Sequence, residues 1–300
     1  MRELVRRGVD VVGFDTAGVA VTPFPEADGV PFVQGDIRDD ALLRGTLEQQ
    51  SIVRVVHLAA LVESADRDPA AAVEINALAA ARLLTFAAQT GVRRVVAMST
   101  KGVLGPLPAR YLHPGYEPVP VELPPSPRTV YESTKYLVEV AVAWHRARNL
   151  DAAAVRLAST WGPGKSTASH GSFSVHSDVA TRALRGESSR IDLHPDQGHD
   201  LVYYADVAAG LADLVLAARP LGSPVYHLGS GRITTVGAFA AAVEAEFPGV
   251  RVETGSEFAG GRSCLMDTSI AHRDAGYVPA WDVARGLAHF RELARVGIVS

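Results

Sequence analysis

The chain has 300 residues, of which 47% are hydrophobic and 21% are charged, a composition typical of a globular enzyme with a sizeable core. Its formal net charge of -4, without a basic run, disfavours nucleic acid as a partner, and no apolar run approaches the roughly 18 residues of a membrane span. The single cysteine, Cys264, excludes an internal disulfide and a cysteine-cluster metal site. We therefore expect a cytoplasmic protein without a metal.

Strands and helices alternate through the first half of the sequence. Short apolar runs predict strands, and longer runs predict helices, one beginning at the N-cap residue Asp39 and one closed by Gly91. The predicted strands are 9–14, 31–34, 53–58, 94–98 and 152–156, and the predicted helices are 39–50, 69–90 and 129–148, with a proline-rich loop at 105–127. This order predicts an α/β fold, a Rossmann-like doubly wound parallel sheet, in residues 1–160.

The pattern is looser in the second half of the sequence. Residues 162–177 are polar and rich in glycine and serine, and the elements expected after them are helices at 178–185, 206–218 and 236–247 and strands at 224–228 and 250–253. Residues 161–300 are therefore expected to form a small C-terminal α/β substrate-binding lobe, with some segments returning to the core.

Tyr131 and Lys135 stand four residues apart in a predicted helix, so both side chains lie on one face. An ammonium beside a phenol favours the phenolate and lowers the pKa of the phenol. Thr100 follows the predicted strand 94–98 and supplies a hydroxyl that can hold a substrate oxygen against that phenolate. These residues indicate proton transfer at an alcohol, although a Tyr and a Lys at this spacing also occur by chance on ordinary surface helices.

A series of short motifs, in order along the chain, resembles the motifs of one enzyme family. The motifs are Gly13-Phe-Asp15, Gly35-Asp36-Ile37, His57-Leu-Ala-Ala60, Asn76, Ser99-Thr100, Tyr131 with Lys135, Arg156 to Pro163, His199-Asp-Leu-Val to Asp206, Tyr226 to Gly231 and Gly276-Tyr-Val-Pro279. On these residues the chain resembles an extended short-chain dehydrogenase/reductase of the NAD-dependent epimerase/dehydratase family.

The resemblance implies NAD as cofactor and a catalytic set of Thr100, Tyr131 and Lys135. Asp15 agrees with NAD independently, because a carboxylate at a strand end can accept both ribose hydroxyls and repels a 2′-phosphate; its alternative role is a turn residue that caps Thr16. The implied cofactor contacts are Asp15, Asp36, Ile37, Leu58, Ala59, Ala60, Asn76, Ser99, Tyr131, Lys135 and Leu157, and the implied substrate contacts are Thr100, Lys101, Ser159, His199 and Arg262.

The first departure from the family pattern is the glycine-rich phosphate loop, which the dinucleotide fingerprint places about 20 residues before the acidic residue. Asp15 lies too near Met1 for that loop, and residues 1–8 resemble the end of the first helix. We expect a misassigned start or a gene fragment, the alternative being a degenerate homologue that binds no dinucleotide.

The other departures concern the substrate. Ser159 stands where nucleotide-sugar enzymes have Asn, and His199 stands where they often have an Arg beside the diphosphate, with Arg262 as the nearest other candidate. A sugar, a nucleotide sugar or a polyol-like substrate therefore all remain open. Lys101 follows Thr100 in place of an acidic pair, which makes a dehydratase least favoured.

We expect an NAD-dependent oxidoreductase or epimerase that acts on a secondary alcohol of such a substrate. The alternatives are a non-catalytic dinucleotide-binding or scaffold homologue and an inactive fragment of the enzyme. In similar enzymes the helices corresponding to 69–90 and 129–148 often form a homodimer interface, and their alanine-rich faces here permit the same.

Overall fold

The protein is described from a computed structural model, which covers residues 1–17, 29–62, 64–163, 175–258 and 263–298. The strands, in chain order, are β1 (Gly13–Asp15), β2 (Phe32–Gln34), β3 (Arg54–His57), β4 (Arg94–Met98), β5 (Pro118–Val119), β6 (Asp151–Leu157), β7 (Ser159–Trp161), β8 (Ser189–Ile191), β9 (Gly198–His199), β10 (Leu201–Tyr203), β11 (Val225–Leu228), β12 (Thr234–Thr235), β13 (Val252–Thr254) and β14 (Leu265–Met266).

The six helices that the sequence predicts begin and end within three residues of their predicted bounds, and the two helices after residue 263 were not predicted. The helices are α1 (Arg2–Arg6), α2 (Asp40–Gln49), α3 (Pro69–Ala72), a π-helical segment (Val73–Leu78), α4 (Ala79–Gln89), α5 (Val130–Arg146), α6 (Val175–Leu184), α7 (Tyr204–Leu216), α8 (Val236–Glu246), α9 (Ser269–Ala275) and α10 (Val283–Arg295), with short 3₁₀ turns at Lys101–Leu104 and Ala109–Tyr111.

The central sheet is parallel and has the strand order β11-β6-β4-β3. Strands β1 and β2 form a separate parallel pair, and within the described residues this pair has no hydrogen bond to the central sheet. Strand β3 is less buried than the sequence predicts, because Val53 is 44% exposed and Leu58 is 56% exposed at its two ends. The doubly wound parallel architecture is confirmed, with its sheet divided in two.

Helices cover both faces of the central sheet, and alternate residues of one strand face different cores. Val95 and Ala97 of β4 pack in the core that α2, α4 and α5 share. Val96 and Met98 of the same strand pack in the other core, which includes residues of α7 and α9. This alternation is why the strand reads as one continuous apolar run.

A third core lies in the second half of the chain. It contains the side chains of Trp161, Tyr203 and Phe239 among residues drawn from α6, α8 and α10. The small strand pairs that frame it are β7 with β10, β8 with β13 and β9 with β12. Of these strands, sequence analysis predicts only β13, at 250–253, and misses the others because two or three residues are too few to show a period. The polar segment expected at 162–177 lies largely outside the described residues.

One helix meets the length and composition of a membrane span, contrary to the sequence-based expectation. It is the continuous helix Pro69–Gln89, and 44% of its most apolar window is buried inside the protein. Ala72, Leu83 and Leu84 of this helix are buried, with Leu83 and Leu84 in the core against β4 and β6. A helix buried in this way has the character of a core helix in a globular protein.

Candidate active site

Thr100 stands at the carboxyl end of β4, where a parallel sheet of this kind places its ligand crevice. Its backbone is extended, and its Oγ1 accepts a hydrogen bond of 3.1 Å from the backbone N–H of Gly102, which opens the 3₁₀ turn Lys101–Leu104. This bond fixes the side chain. It also leaves the hydroxyl proton without an acceptor among the described residues, so Thr100 can donate to a ligand oxygen.

The first turn of α5, which carries Tyr131, is fixed from two directions. Thr129 and Glu132 form a capping box at the N-terminus of the helix. From a separate loop, Asp66 Oδ1 accepts hydrogen bonds from the backbone N–H groups of Val130 (2.8 Å) and Tyr131 (3.4 Å). A carboxylate at this position also interacts favourably with the helix dipole.

The expected lowering of the Tyr131 pKa by Lys135 is not found in this arrangement. Burial, reinforced by the neighbouring Glu132, raises the pKa of Tyr131 to about 12. Lys135 Nζ instead donates to the backbone carbonyl of Met98 at 3.1 Å, and burial lowers the pKa of Lys135 to about 8. The physical reason is desolvation: both groups have lost water, which favours the neutral form of each, and no hydrogen bond joins the phenol to the ammonium.

A buried ion pair joins α5 to the central sheet directly behind these residues. Arg156 on β6 donates to both carboxylate oxygens of Glu139 on α5, each at 2.8 Å, and Ser99 Oγ donates to Glu139 Oε1 at 2.6 Å. Glu139 follows Lys135 by four residues and therefore lies on the same helix face. Sequence analysis missed this brace, although that spacing and the polar Arg156 within an apolar strand were its signals.

The acidic residues predicted to contact the cofactor are both close to the surface. Asp15 ends β1 with an exposed side chain, and its Oδ1 accepts from the backbone N–H of Ala17 at 3.0 Å. The turn role considered for Asp15 is therefore present, and the other carboxylate oxygen remains available. Asp36 instead pairs with Arg38 at 2.6 Å, and the hydrogen bonds from Arg38 lower the pKa of Asp36.

Three other predicted cofactor residues use their side chains inside the protein. Asn76, in the π-helical segment, accepts from the backbone N–H of Leu61 at 2.7 Å and donates to its carbonyl at 2.8 Å, so its amide fixes a loop rather than facing a ligand. Ile37 is buried in the core, and the Ser99 hydroxyl is bound to Glu139. The side chains of these three residues are therefore engaged inside the protein, and their contact with a cofactor stays a prediction.

The remaining predicted cofactor residues lie at strand ends. Leu58 and Ala59 are exposed immediately after β3, Ala60 is partly buried beside them, and Leu157 ends β6. His57, within β3, is a core histidine as expected, with its pKa lowered to about 3 by burial and by Lys135.

The predicted substrate residues gather beside Thr100, with one exception. Lys101 Nζ donates to Ser159 Oγ at 2.7 Å, and His199 Nδ1 lies 3.2 Å from Ser263 Oγ. His176, which sequence analysis did not single out, lies with its ring centroid 5.3 Å from that of His199. The exception is Arg262, which lies outside the described residues.

The fold and this site define a Rossmann-type enzyme that uses a dinucleotide. A model of the NAD-dependent epimerase/dehydratase family matches residues 1–229. The chain belongs to that family, an NAD-dependent group of the extended short-chain dehydrogenase/reductase type, as its motifs predict.

Individual relatives agree with this assignment. The chain is 28% identical to UDP-glucose 4-epimerase of Mycolicibacterium smegmatis over 97% of this chain and 93% of that protein. It is 32% identical to sterol demethylase protein B of Methylococcus capsulatus, over 54% of this chain and 44% of that longer protein. The solved structure of MoeE5 in complex with UDP-glucose and NAD is similar in fold, with a TM-score of 0.79 and 27% identity over 99% of this chain and 94% of that one.

Proposed function

We propose that the protein oxidises a secondary alcohol of a sugar or nucleotide-sugar-like substrate, as an epimerase or a dehydrogenase. The observation that carries this proposal is the placement of Thr100 at the end of β4 beside the braced first turns of α5, which hold Tyr131 and Lys135. The phenol of Tyr131 has no hydrogen-bond partner among the described residues, so it is free to meet a substrate oxygen.

The chain's own residues divide the proton chemistry among them. Thr100 donates to the substrate oxygen and orients it, and Tyr131 exchanges a proton with that oxygen. Lys135 supplies the positive charge that stabilises the phenolate once its ammonium turns from the Met98 carbonyl toward the phenol. A bound NAD would supply the hydride acceptor for the carbon that carries this oxygen.

The residues at the carboxyl ends of the strands fit a dinucleotide. Asp15 presents a carboxylate oxygen suited to ribose hydroxyls, while the exposed Leu58 and Ala59 offer an apolar surface at the end of β3. These residues would hold the adenosine half of NAD, and Lys135 would hold the nicotinamide ribose. The carboxylate of Asp15 would repel a 2′-phosphate, which favours NAD over NADP.

A conservative pair of substitutions tests the role of Tyr131. Tyr131→Phe removes the proton-carrying oxygen and should lower kcat by about 10²-fold or more. Tyr136→Phe, which removes the same atom from an exposed position on the same helix, is the matched control and should leave kcat unchanged. The measurement is formation of reduced nicotinamide or of the epimer with a panel of sugars and nucleotide sugars; equal kcat values for the two variants would remove Tyr131 from the mechanism.

The divided sheet bears on how the pyrophosphate is held. In the doubly wound order, the first strand lies between the second strand, which ends in the acidic residue, and the fourth strand. Here β1 corresponds to the second strand and β3 to the fourth. We propose that a parallel strand followed by a glycine-rich loop occupies this position in the NAD-binding form, because the loop and the following helix N-terminus bind pyrophosphate.

The corresponding experiment compares the 300-residue chain with one extended by about 20 residues that encode such a strand and loop. Thermal melting is followed with and without NAD. The extended form should melt higher and show the larger upward shift with NAD, because the edges of β1 and β3 would then be paired. An equal shift for both forms would show that the present residues hold the pyrophosphate in another way.

We propose further that the protein forms a homodimer through α5 and the helix Pro69–Gln89. Leu137, Val140 and Trp144 form an apolar stripe on α5, each 47–52% exposed. Val73 and Leu78, on the other helix, are 46% and 45% exposed. Helices with exposed stripes of this kind commonly mark an interface.

The free, buried Cys264 fits a reducing cytoplasm as the location.

A further inference from the structure

A cluster of polar side chains beside Thr100 takes no part in the proton transfer assigned to Tyr131. Its cation is Lys101, which is half-buried and whose Nζ donates to Ser159 Oγ at 2.7 Å. Within the described residues, no carboxylate lies within ion-pair distance of this ammonium. Asp200 is close enough to interact with it electrostatically, but its oxygens accept from Ser230 N (2.6 Å), Ser230 Oγ (2.7 Å) and Met266 N (3.1 Å).

Two histidines complete the cluster and leave ring nitrogens unpaired. The Nε2 atoms of His176 and His199 are both buried and have no hydrogen-bond partner among the described residues. His176 as a residue is only 4% exposed. Burial, with a smaller effect from Lys101, lowers the pKa of His176 to about 4 and holds that of His199 lower still. Both rings are therefore neutral at pH 7, and the cluster carries a single positive charge.

The ammonium of Lys101 and the unpaired ring nitrogens of the two histidines are together unfavourable unless a ligand interacts with them. An ammonium that is half-buried, with no carboxylate of the described residues at ion-pair distance, is incompletely compensated, and buried polar atoms without partners cost free energy. An anion at this point would supply the missing charge and accept hydrogen bonds from the ammonium and from an imidazole N–H.

We propose that Lys101 binds a carboxylate of the substrate, so that the preferred substrate is an alcohol bearing a carboxylate near the reacting carbon, such as a uronic acid. This inference rests on the proposed function, because Thr100 is taken to hold the reacting oxygen. Because Lys101 follows Thr100 directly, we expect the carboxylate to lie near that oxygen.

The cluster suits a monoanion better than a diphosphate. A diphosphate is best matched by the planar fork of an arginine. Arg156, the buried arginine on the adjacent strand, is already paired with Glu139 and hydrogen-bonded to the carbonyl of Val121. One ammonium flanked by hydroxyls and neutral imidazoles balances the charge of one carboxylate.

The test uses ligand pairs that differ only in the carboxylate: glucuronic acid against glucose, and UDP-glucuronic acid against UDP-glucose. Binding to the full chain with NAD present is measured by calorimetry at pH 7. The wild-type protein should bind each acid at least about tenfold more tightly than its neutral counterpart, the range expected for a charge-assisted hydrogen bond. High salt should reduce this preference.

Substitutions locate the preference. Lys101→Met should abolish this preference, and Lys101→Arg should retain part of it. Arg291→Met, which removes one positive charge from the surface of α10, is the matched control and should keep the full preference. Equal binding of acid and neutral ligand by the wild type, or a preference that survives in Lys101→Met, would overturn the proposal.

The failure of this inference and the failure of the proposed function are distinguishable. Tyr131→Phe should lose turnover and keep the preference for the acid, because the charge at Lys101 is unaltered. If no alcohol either reduces NAD or is converted to its epimer while the acid preference is present and depends on Lys101, the catalytic proposal is wrong and the carboxylate site stands.

Discussion

Glu139→Gln is the substitution that most directly tests the brace behind the site. It keeps the shape of the side chain and removes its charge. Arg156 would then remain as a buried cation without a counter-ion, and the two 2.8 Å charge-assisted bonds that it makes to Glu139 would be weakened or lost.

The expected cost follows from burial. The side chains of Arg156 and Glu139 are 3% and 5% exposed, so water can replace neither partner. Removing one partner of such a pair typically costs about 3–5 kcal/mol, which is a large share of the roughly 5–15 kcal/mol that stabilises a folded domain. The assay is denaturant unfolding followed by far-ultraviolet circular dichroism.

Two comparisons make the result decisive. Glu48→Gln breaks the exposed pair of Glu48 with Arg44, whose side chains are 50% and 46% exposed, and should cost less than about 1 kcal/mol. Glu139→Leu combined with Arg156→Met removes both charges and should recover most of the loss, since no charge remains uncompensated. If Glu139→Gln costs no more than Glu48→Gln, the brace does not stabilise the protein as argued.

Three further predictions concern the cofactor, pH and assembly. Asp15→Ala should weaken NAD binding and reduce the ratio of the affinity for NAD to that for NADP, measured by calorimetry with both cofactors. A preference for NADP in the unmodified protein would contradict the role of Asp15. The pKa of Lys135 is about 8 in the folded protein against an ordinary value of 10.5, so the unfolded state binds more protons between these pH values, and folding stability from this group rises with pH across that window. Lys135→Met should remove the rise in paired denaturation curves, and an identical pH dependence would contradict it. Leu137→Glu should shift the protein to monomer in sedimentation velocity, because it buries a charge in the proposed interface, whereas Val278→Glu, at a site 64% exposed elsewhere, should not.

The sequence predicts those parts of the structure that depend on local chemistry. Strand β4 is apolar from Val95 to Met98 and is buried at every residue. Asp39 caps α2 through its side chain, as its position before a helical pattern indicates. The π-helical segment could not be predicted. It coincides with the buried Asn76, whose amide bonds run to the loop at Leu61 15 residues earlier, a tertiary contact without a local signature.

The site shows the same division. Thr100, Tyr131 and Lys135 could be predicted from the sequence, because Thr100 follows a predicted strand and the other two residues are one helical turn apart. The direction of the pKa shift of Tyr131 could not be predicted from the sequence. It depends on how completely folding removes water from the phenol and on which acceptor Lys135 is hydrogen-bonded to. His176 likewise joins the Lys101 cluster only through the fold of the second half of the chain.

The raised pKa of Tyr131 favours carbonyl reduction over alcohol oxidation as the reaction for which the site is already in the correct protonation state. A phenol of pKa about 12 is protonated at pH 7, so it can donate a proton to a carbonyl oxygen without any change in the site. To accept a proton near pH 7, its pKa must fall by about 5 units, which at about 1.36 kcal/mol per unit requires roughly 7 kcal/mol of added stabilisation of the phenolate. Lys135 is the buried cation available for this, and it must first exchange the Met98 carbonyl for the phenol. We therefore expect alcohol oxidation to depend steeply on pH, with carbonyl reduction nearly independent of pH around neutrality. Equal pH profiles for the two directions, measured with one alcohol–ketone pair, would show that the phenol and the ammonium already share their proton before substrate binds.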